Sequence, residues 1–197
     1  MKNLKIAITG GIGSGKTEVL KIVSDLGYNA YSCDDICAEI YKKQSFLAKL
    51  ERIFPTAVSG KLVLKVNKKV VSALTFNNKE NLNKLNALLH PMIIKKLSKK
   101  LEKKEGLVFA EVPLLFEGNY QEMFDKVIVV CRDKEERINS VKTRSNLERA
   151  QVEKIMNVQV NYDNLDLTNY IVIENDKDVQ NLTQKVIDVI EKLKTEE

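Results

Sequence analysis

Between Thr9 and Leu20 the chain reads TGGIGSGKTEVL, with glycine at four of the six positions from 10 to 15 and Lys16-Thr17 directly behind them. Glycine inside regular structure costs roughly 0.5–1 kcal/mol relative to alanine, so such a cluster needs a use. The spacing Gly10-x-x-x-x-Gly15-Lys16-Thr17 satisfies G-x-x-x-x-G-K-[ST], and it stands between an apolar strand-like run, LKIAIT, and a helical pattern, TEVLKIVSDL. In that setting the glycines let backbone N–H groups turn inward around phosphate oxygens, and the helix N-terminus adds unpaired donors and a positive dipole end. Gly11, Ile12, Gly13, Ser14 and Gly15 are the nucleotide-binding backbone, Lys16 reaches the β- and γ-phosphates, and the Thr17 hydroxyl is a ligand for Mg²⁺. A purely structural turn explains neither Lys16 nor Thr17. A dinucleotide fold is disfavoured because the glycines run G-x-G-x-G and lysine follows at once.

A strand–loop–helix start of this kind needs a parallel sheet to sit in. Short apolar runs rich in β-branched residues occur at 4–9 (LKIAIT), 107–112 (LVFAEV), 126–131 (KVIVVC) and 170–175 (YIVIEN), with a shorter one, NAYS, at 29–32. Helical patterns fall between them. Val19, Leu20, Val23 and Leu26 share one face before Gly27, and Leu182, Val186, Val189, Ile190 and Leu193 form a second stripe. The expected fold is α/β: a five-stranded parallel sheet of P-loop kinase type flanked by helices, with two helical excursions. The nucleotide-binding core takes 1–35, 105–132 and 165–197; a helical acceptor-binding insertion takes 36–104, and a helical lid takes 133–164.

A chain of 197 residues is long enough for one such core with insertions. No apolar run reaches the roughly 18 residues of a membrane span, and the N-terminus lacks the features of a signal peptide. The expectation is a cytoplasmic protein with no membrane or nucleic-acid partner. The net charge of +5 suits a nucleotide as well as a nucleic acid, and no nucleic-acid module accompanies it. Much of the basic excess lies in IIKKLSKKLEKKEG, where Lys95, Lys96, Lys99, Lys100, Lys103 and Lys104 fall largely off the stripe of Met92, Ile93, Leu97 and Leu101. That reads as a solvated helix face. Cys33, Cys37 and Cys131, with His90 as the single histidine, make no zinc set.

In open α/β sheets, ligands bind beyond the carboxyl ends of the strands. Asp34 and Asp35 stand after NAYS, Glu111 to Glu117 after LVFAEV, and Asn175 closes YIVIE, while Arg137 and Arg144 lie in the second excursion. The N-K-x-D and D-x-x-G elements of switch GTPases are absent. A small-molecule kinase fits: a compact core, an acceptor-binding insertion, and an arginine-bearing lid that excludes water from ATP. The alternatives are a kinase for another small acceptor, such as a nucleoside monophosphate, and a non-catalytic nucleotide-binding regulator. The second sits poorly with Lys16, Thr17 and Asp34 together.

Over nearly its whole length the chain resembles the dephospho-CoA kinase family, through ITGGIGSGKT (8–17), Asp34 in GYNAYSCDD, LNALLHP (85–91), VPLLFE (112–117) and the series Arg144…Gln159…Asn175. The resemblance implies transfer of the ATP γ-phosphoryl group to the 3′-hydroxyl of dephospho-CoA, with Mg²⁺, by a monomer or weak homo-oligomer. Carried over residue by residue, it makes Asp34 the general base. Aspartates are weak bases at neutral pH, which is tolerable where a loose transition state needs the hydroxyl oriented more than deprotonated. It places His90, Pro113 and Leu114 with Asp34 on the acceptor side. Lys16 and Arg144 meet the transferring phosphoryl group, Asn175 lies near the adenine, and Glu111 supports the metal. Three departures stand out. Ser32 replaces the first carboxylate of Asp-x-Asp, Asn67-Lys68 replaces an Asp-Arg pair, and Ser140 stands where an arginine precedes Arg144 by one turn. Lysine keeps the charge of an arginine but not its planar fork, and Arg137 is the candidate to stand in at Ser140.

Overall fold

LKIAIT has the composition that parallel sheets bury on both faces: apolar and β-branched, with little polar alternation. In the computed structural model, which describes residues 3–76 and 78–195, it forms β1 (Leu4–Thr9), buried from Ile6 onward. After it come α1 (Lys16–Asp25), β2 (Asn29–Ser32), α2 (Cys33–Ile40) and α3 (Gln44–Ile53). A two-stranded antiparallel ribbon, β3 (Val58–Ser59) with β4 (Lys65–Val66), leads to α4 (Lys68–Phe76) and the long α5 (Lys79–Glu102). The chain continues through β5 (Leu107–Glu111), β6 (Lys126–Cys131), α6 (Lys134–Ser145) and α7 (Arg149–Met156). It closes with β7 (Ile171–Glu174) and α8 (Val179–Thr195).

The sheet has five parallel strands, as expected from the sequence, and their order is β2-β5-β1-β6-β7. Its register sets Ile8 and Ser32 both against Glu111, and Thr9 against Val129, so the carboxyl ends of neighbouring strands come level. The loop after the central strand therefore opens among the ends of its neighbours. Ile6, Ile8 and Phe109 of the sheet pack with Val19 and Val23 of α1 and with Val186 of α8. Each such side chain contributes roughly 1.5–3 kcal/mol on burial, so the loop grows from a strand fixed by core packing and by a neighbour on each side.

The chain divides into two compact units, one running through Ser32 and resuming at Leu101, the other Cys33–Lys100. In the second unit, α5 runs on through Pro91. Proline removes one N–H from the helical ladder, but Pro91 and Ala87, whose carbonyl loses that donor, both lie on the exposed side. On the lysine-rich part of α5, Leu97 is fully buried. Lys96 and Lys100 meet Glu39 of α2, whereas Lys95 and Lys99 are exposed. Cys33, Cys37 and Cys131 are free thiols, and burial raises the pKa of the last two.

Candidate active site

Gly10 to Gly15 bridge the end of β1 and the first turn of α1. Lys16, only 8% exposed, folds its side chain back under this bridge, and its Nζ donates to the carbonyls of Gly10 at 2.8 Å and Gly11 at 2.9 Å. Turning a loop's amides towards one centre leaves its carbonyls facing elsewhere, and buried carbonyls need donors. The lysine supplies them, so its ammonium is held in place by the loop it supports. The loop closes on itself through Ser14 N–H to the Gly11 carbonyl at 3.2 Å, and the first turn of α1 begins with Val19 N–H to the Gly15 carbonyl at 3.0 Å.

Residues far away in sequence brace the same loop. Asn175 Nδ2 donates to the Ser14 carbonyl at 2.9 Å, while the Asn175 N–H extends the β6–β7 ladder to the Cys131 carbonyl at 2.8 Å. Gln159 Oε1 accepts the Ile12 N–H at 2.8 Å. Next to Gln159, the Val160 N–H donates to Glu117 Oε1 at 2.9 Å, which ties the end of VPLLFE to the segment that holds Ile12. The Ile12 side chain packs on Ile138, Val141 and Val152, the small core shared by α6 and α7. Tyr162 shares a hydrogen bond of 3.2 Å with Thr9 Oγ1, and its burial pushes the phenol up to about 12, so it stays neutral.

Arg137 and Arg144 are seven residues apart on α6, nearly two full turns, and so fall on one face. They occupy different surroundings. Arg144 is exposed in the last turn, whereas Arg137 is 5% exposed and its Nη2 lies 3.0 and 3.1 Å from the two oxygens of Asp163. Arg137 is thus held beside the phosphate loop rather than extended outward in the place of the missing arginine at Ser140.

Thr17 Oγ1 donates to Glu111 Oε1 at 3.0 Å, and Glu111 is 3% exposed at the end of β5. No group of three or more His, Cys, Asp or Glu gathers among the described residues. A hydroxyl and a carboxylate fit Mg²⁺, a hard cation that keeps several waters and takes its remaining ligands from substrate phosphates. Of the residues expected on the acceptor side, Pro113 and Leu114 are partly buried in the turn that follows β5. Asp34 is exposed in the first turn of α2, and His90 is half-buried in α5, where burial lowers its pKa. The structure gathers Gly11 to Thr17, Glu111 and Asn175 about one loop, while Asp34 and His90 belong to the second unit. Tyr162 and Asp163 escape a reading of the sequence, because they sit in a segment without a motif and reach the loop only through the fold.

A glycine loop with its lysine beneath it, on the central strand of a five-stranded parallel sheet, defines a nucleotide-binding protein of the P-loop class. A sequence model of the dephospho-CoA kinase family matches residues 4–181, and the chain belongs to that family. It is 33% identical over 187 residues to the dephospho-CoA kinase of Fusobacterium nucleatum, covering 94% of this chain and 96% of the relative. A crystal structure from Thermus thermophilus superposes with a TM-score of 0.81 at 30% identity, covering 98% of this chain and 99% of the other. Dephospho-CoA kinase from Campylobacter jejuni gives 0.72 at 28% identity, covering 98% of each chain.

Proposed function

We propose that this chain transfers the γ-phosphoryl group of ATP to the 3′-hydroxyl of dephospho-CoA, giving coenzyme A and ADP, the last step of coenzyme A biosynthesis. The observation that carries the reading is the buried Lys16 ammonium held at 2.8 and 2.9 Å under the glycine loop, in a chain of this family. Phosphoryl transfer through a loose transition state asks a protein for positioning and charge more than for covalent chemistry. The loop from Gly11 to Gly15, through the amides that Gln159 and the Gly11 carbonyl do not engage, and Lys16 hold the β- and γ-phosphates at the N-terminus of α1. The ribose oxygen forms its bond to Pγ as the bond from Pγ to the β,γ-bridging oxygen breaks, and the charge that moves onto the leaving oxygen stays beside Lys16. Asp34 orients the hydroxyl and accepts its proton. Arg144 meets the γ-phosphoryl oxygens. Thr17, supported by Glu111, would hold Mg²⁺, which would supply positive charge to the phosphates.

In the same reading, 36–104 is the acceptor domain, with His90, Pro113 and Leu114 on the acceptor side, and 133–164 is the lid. Asn175 lies near the adenine. The protein works in the cytoplasm as a monomer or a weakly self-associating chain. No helix among the described residues is long and apolar enough to cross a membrane. The test is an acceptor panel: ADP release from ATP and Mg²⁺ with dephospho-CoA, with nucleoside monophosphates, and with no acceptor. Release that depends on dephospho-CoA is the expected result. Release driven by a nucleoside monophosphate, or ATP binding without transfer, overturns the reading.

A further inference from the structure

Three charged side chains are buried among the described residues: Lys16, Glu111 and Arg137. The first two belong to the site already described. The third has no role in the transfer proposed above, and a buried cation calls for an explanation because desolvating it is costly. Asp163 supplies a counter-charge, with both carboxylate oxygens close to Nη2, yet that aspartate is 58% exposed at its side chain. Surface partners alone do not require a guanidinium to be drawn inside.

What surrounds Arg137 supplies the reason. A side chain at Gly11 would run into Arg137 Nη1, with the Tyr162 ring 3.6 Å away on the same side. At Gly13, which has φ +79, a Cβ would come within 2.5 Å of the Arg137 carbonyl oxygen. One residue therefore lies against the loop at two of its glycines, with its guanidinium at Gly11 and its main chain at Gly13. Between those two contacts is Ile12, packed on the cluster that Ile138, the next residue of the same helix, forms with Val141 and Val152.

We infer that Arg137 is a positioning residue for the phosphate-binding loop, with Asp163 fixing the angle of its guanidinium. Convergent amides hold phosphate oxygens only while the loop keeps its curvature, and displacements of about 1 Å at a reacting centre cost about 100-fold in rate. The guanidinium plane and the α6 backbone set that curvature from outside, as Lys16 sets it from beneath. The inference rests on the kinase reading only for its bearing on turnover. Its effect on nucleotide binding stands apart from the acceptor.

The experiment measures ATP affinity by calorimetry with Mg²⁺, for the wild type, Arg137→Met, Arg137→Ala, Asp163→Asn and the double variant Arg137→Met/Asp163→Asn. Melting temperatures without nucleotide and the KM for dephospho-CoA are measured on the same proteins. Arg137→Met should weaken ATP binding by roughly tenfold, with the acceptor KM changed by less than about twofold and melting little altered. Asp163→Asn should weaken it less, and the double variant should match Arg137→Met, since Asp163 acts through the arginine. Guanidinium added to Arg137→Ala at concentrations far below denaturing should restore ATP affinity in part. Unchanged ATP affinity in Arg137→Met overturns the inference, as does additive loss in the double variant. A loss that follows the melting temperature, with no guanidinium rescue, also overturns it by reducing the pair to scaffold. A wild type that binds ATP but transfers nothing to dephospho-CoA would sink the kinase reading while leaving these affinities to decide the role of Arg137.

Discussion

Lys16 has three donors and gives two of them to the carbonyls of Gly10 and Gly11, so the residue that neutralises phosphate also maintains the loop that binds it. Asp34 is separable from that machinery, because it lies in the first turn of α2 and in the other unit. Asp34→Asn should lower kcat by roughly 100-fold while ATP affinity, measured by calorimetry, changes by less than about twofold. Equal loss of both would remove Asp34 from its role as base. This contrast also marks what could be read from the sequence. Gly10 to Thr17 are legible because phosphate chemistry demands those residue types at one fixed spacing, next to one another in the chain. The Thr17–Glu111 pair was half visible, since a carboxylate at the end of a strand is suspect but has no fixed distance from the loop in sequence. Gln159 was visible as part of a family pattern, but its bond to the Ile12 N–H was not, and Tyr162 and Asp163, which hold Thr9 and Arg137, are a phenol and a carboxylate that many loops carry.

At the level of elements, α6 depends on Asp133, whose carboxylate accepts the N–H groups of Glu135 and Glu136 at 2.8 and 3.2 Å. Asp133→Ala should destabilise the fold by about 1 kcal/mol in urea denaturation, the usual size for a lost N-cap. Because α6 also carries Arg137, the same variant should bind ATP more weakly. In α5, burial lowers His90 below its ordinary 6.5. As pH falls through 6.5 the unfolded chain takes up the proton first, so stability is complete above that value and declines below it until the folded ring protonates too. His90→Asn should flatten this part of the profile, read as urea midpoints across a pH series, and an unchanged slope would assign it to other groups. Four of the five sheet strands were legible from apolar runs that need no partner to be recognised, and β2, the half-buried NAYS, was placed by its position between helical patterns. The β3–β4 ribbon was not, because two residues per strand are too few to show a period. The continuity of α5 was obscured by Pro91, whose exposed setting the sequence does not display.

Taken whole, the chain carries a net charge of +5, and both of its proposed substrates are polyanions. If the exposed lysines of α5 draw in the acceptor, the KM for dephospho-CoA should rise several-fold between low and physiological salt, where the screening length is about 8 Å. The KM for ATP, gripped at a buried lysine, should respond less. A flat acceptor KM would leave Lys95 and Lys99 as a solvated face. The sheet order has a consequence for how such a molecule comes into being. Both neighbours of β1 are distant, with Leu4 paired to Leu107 and Ile6 to Lys126. Contacts between such remote segments form slowly, because a long stretch of chain must be closed before they reward the closure. A ribosome that has just passed Lys100 has made every residue of the glycine loop and neither of the strands that flank it. The loop waits for both before it can hold a nucleotide.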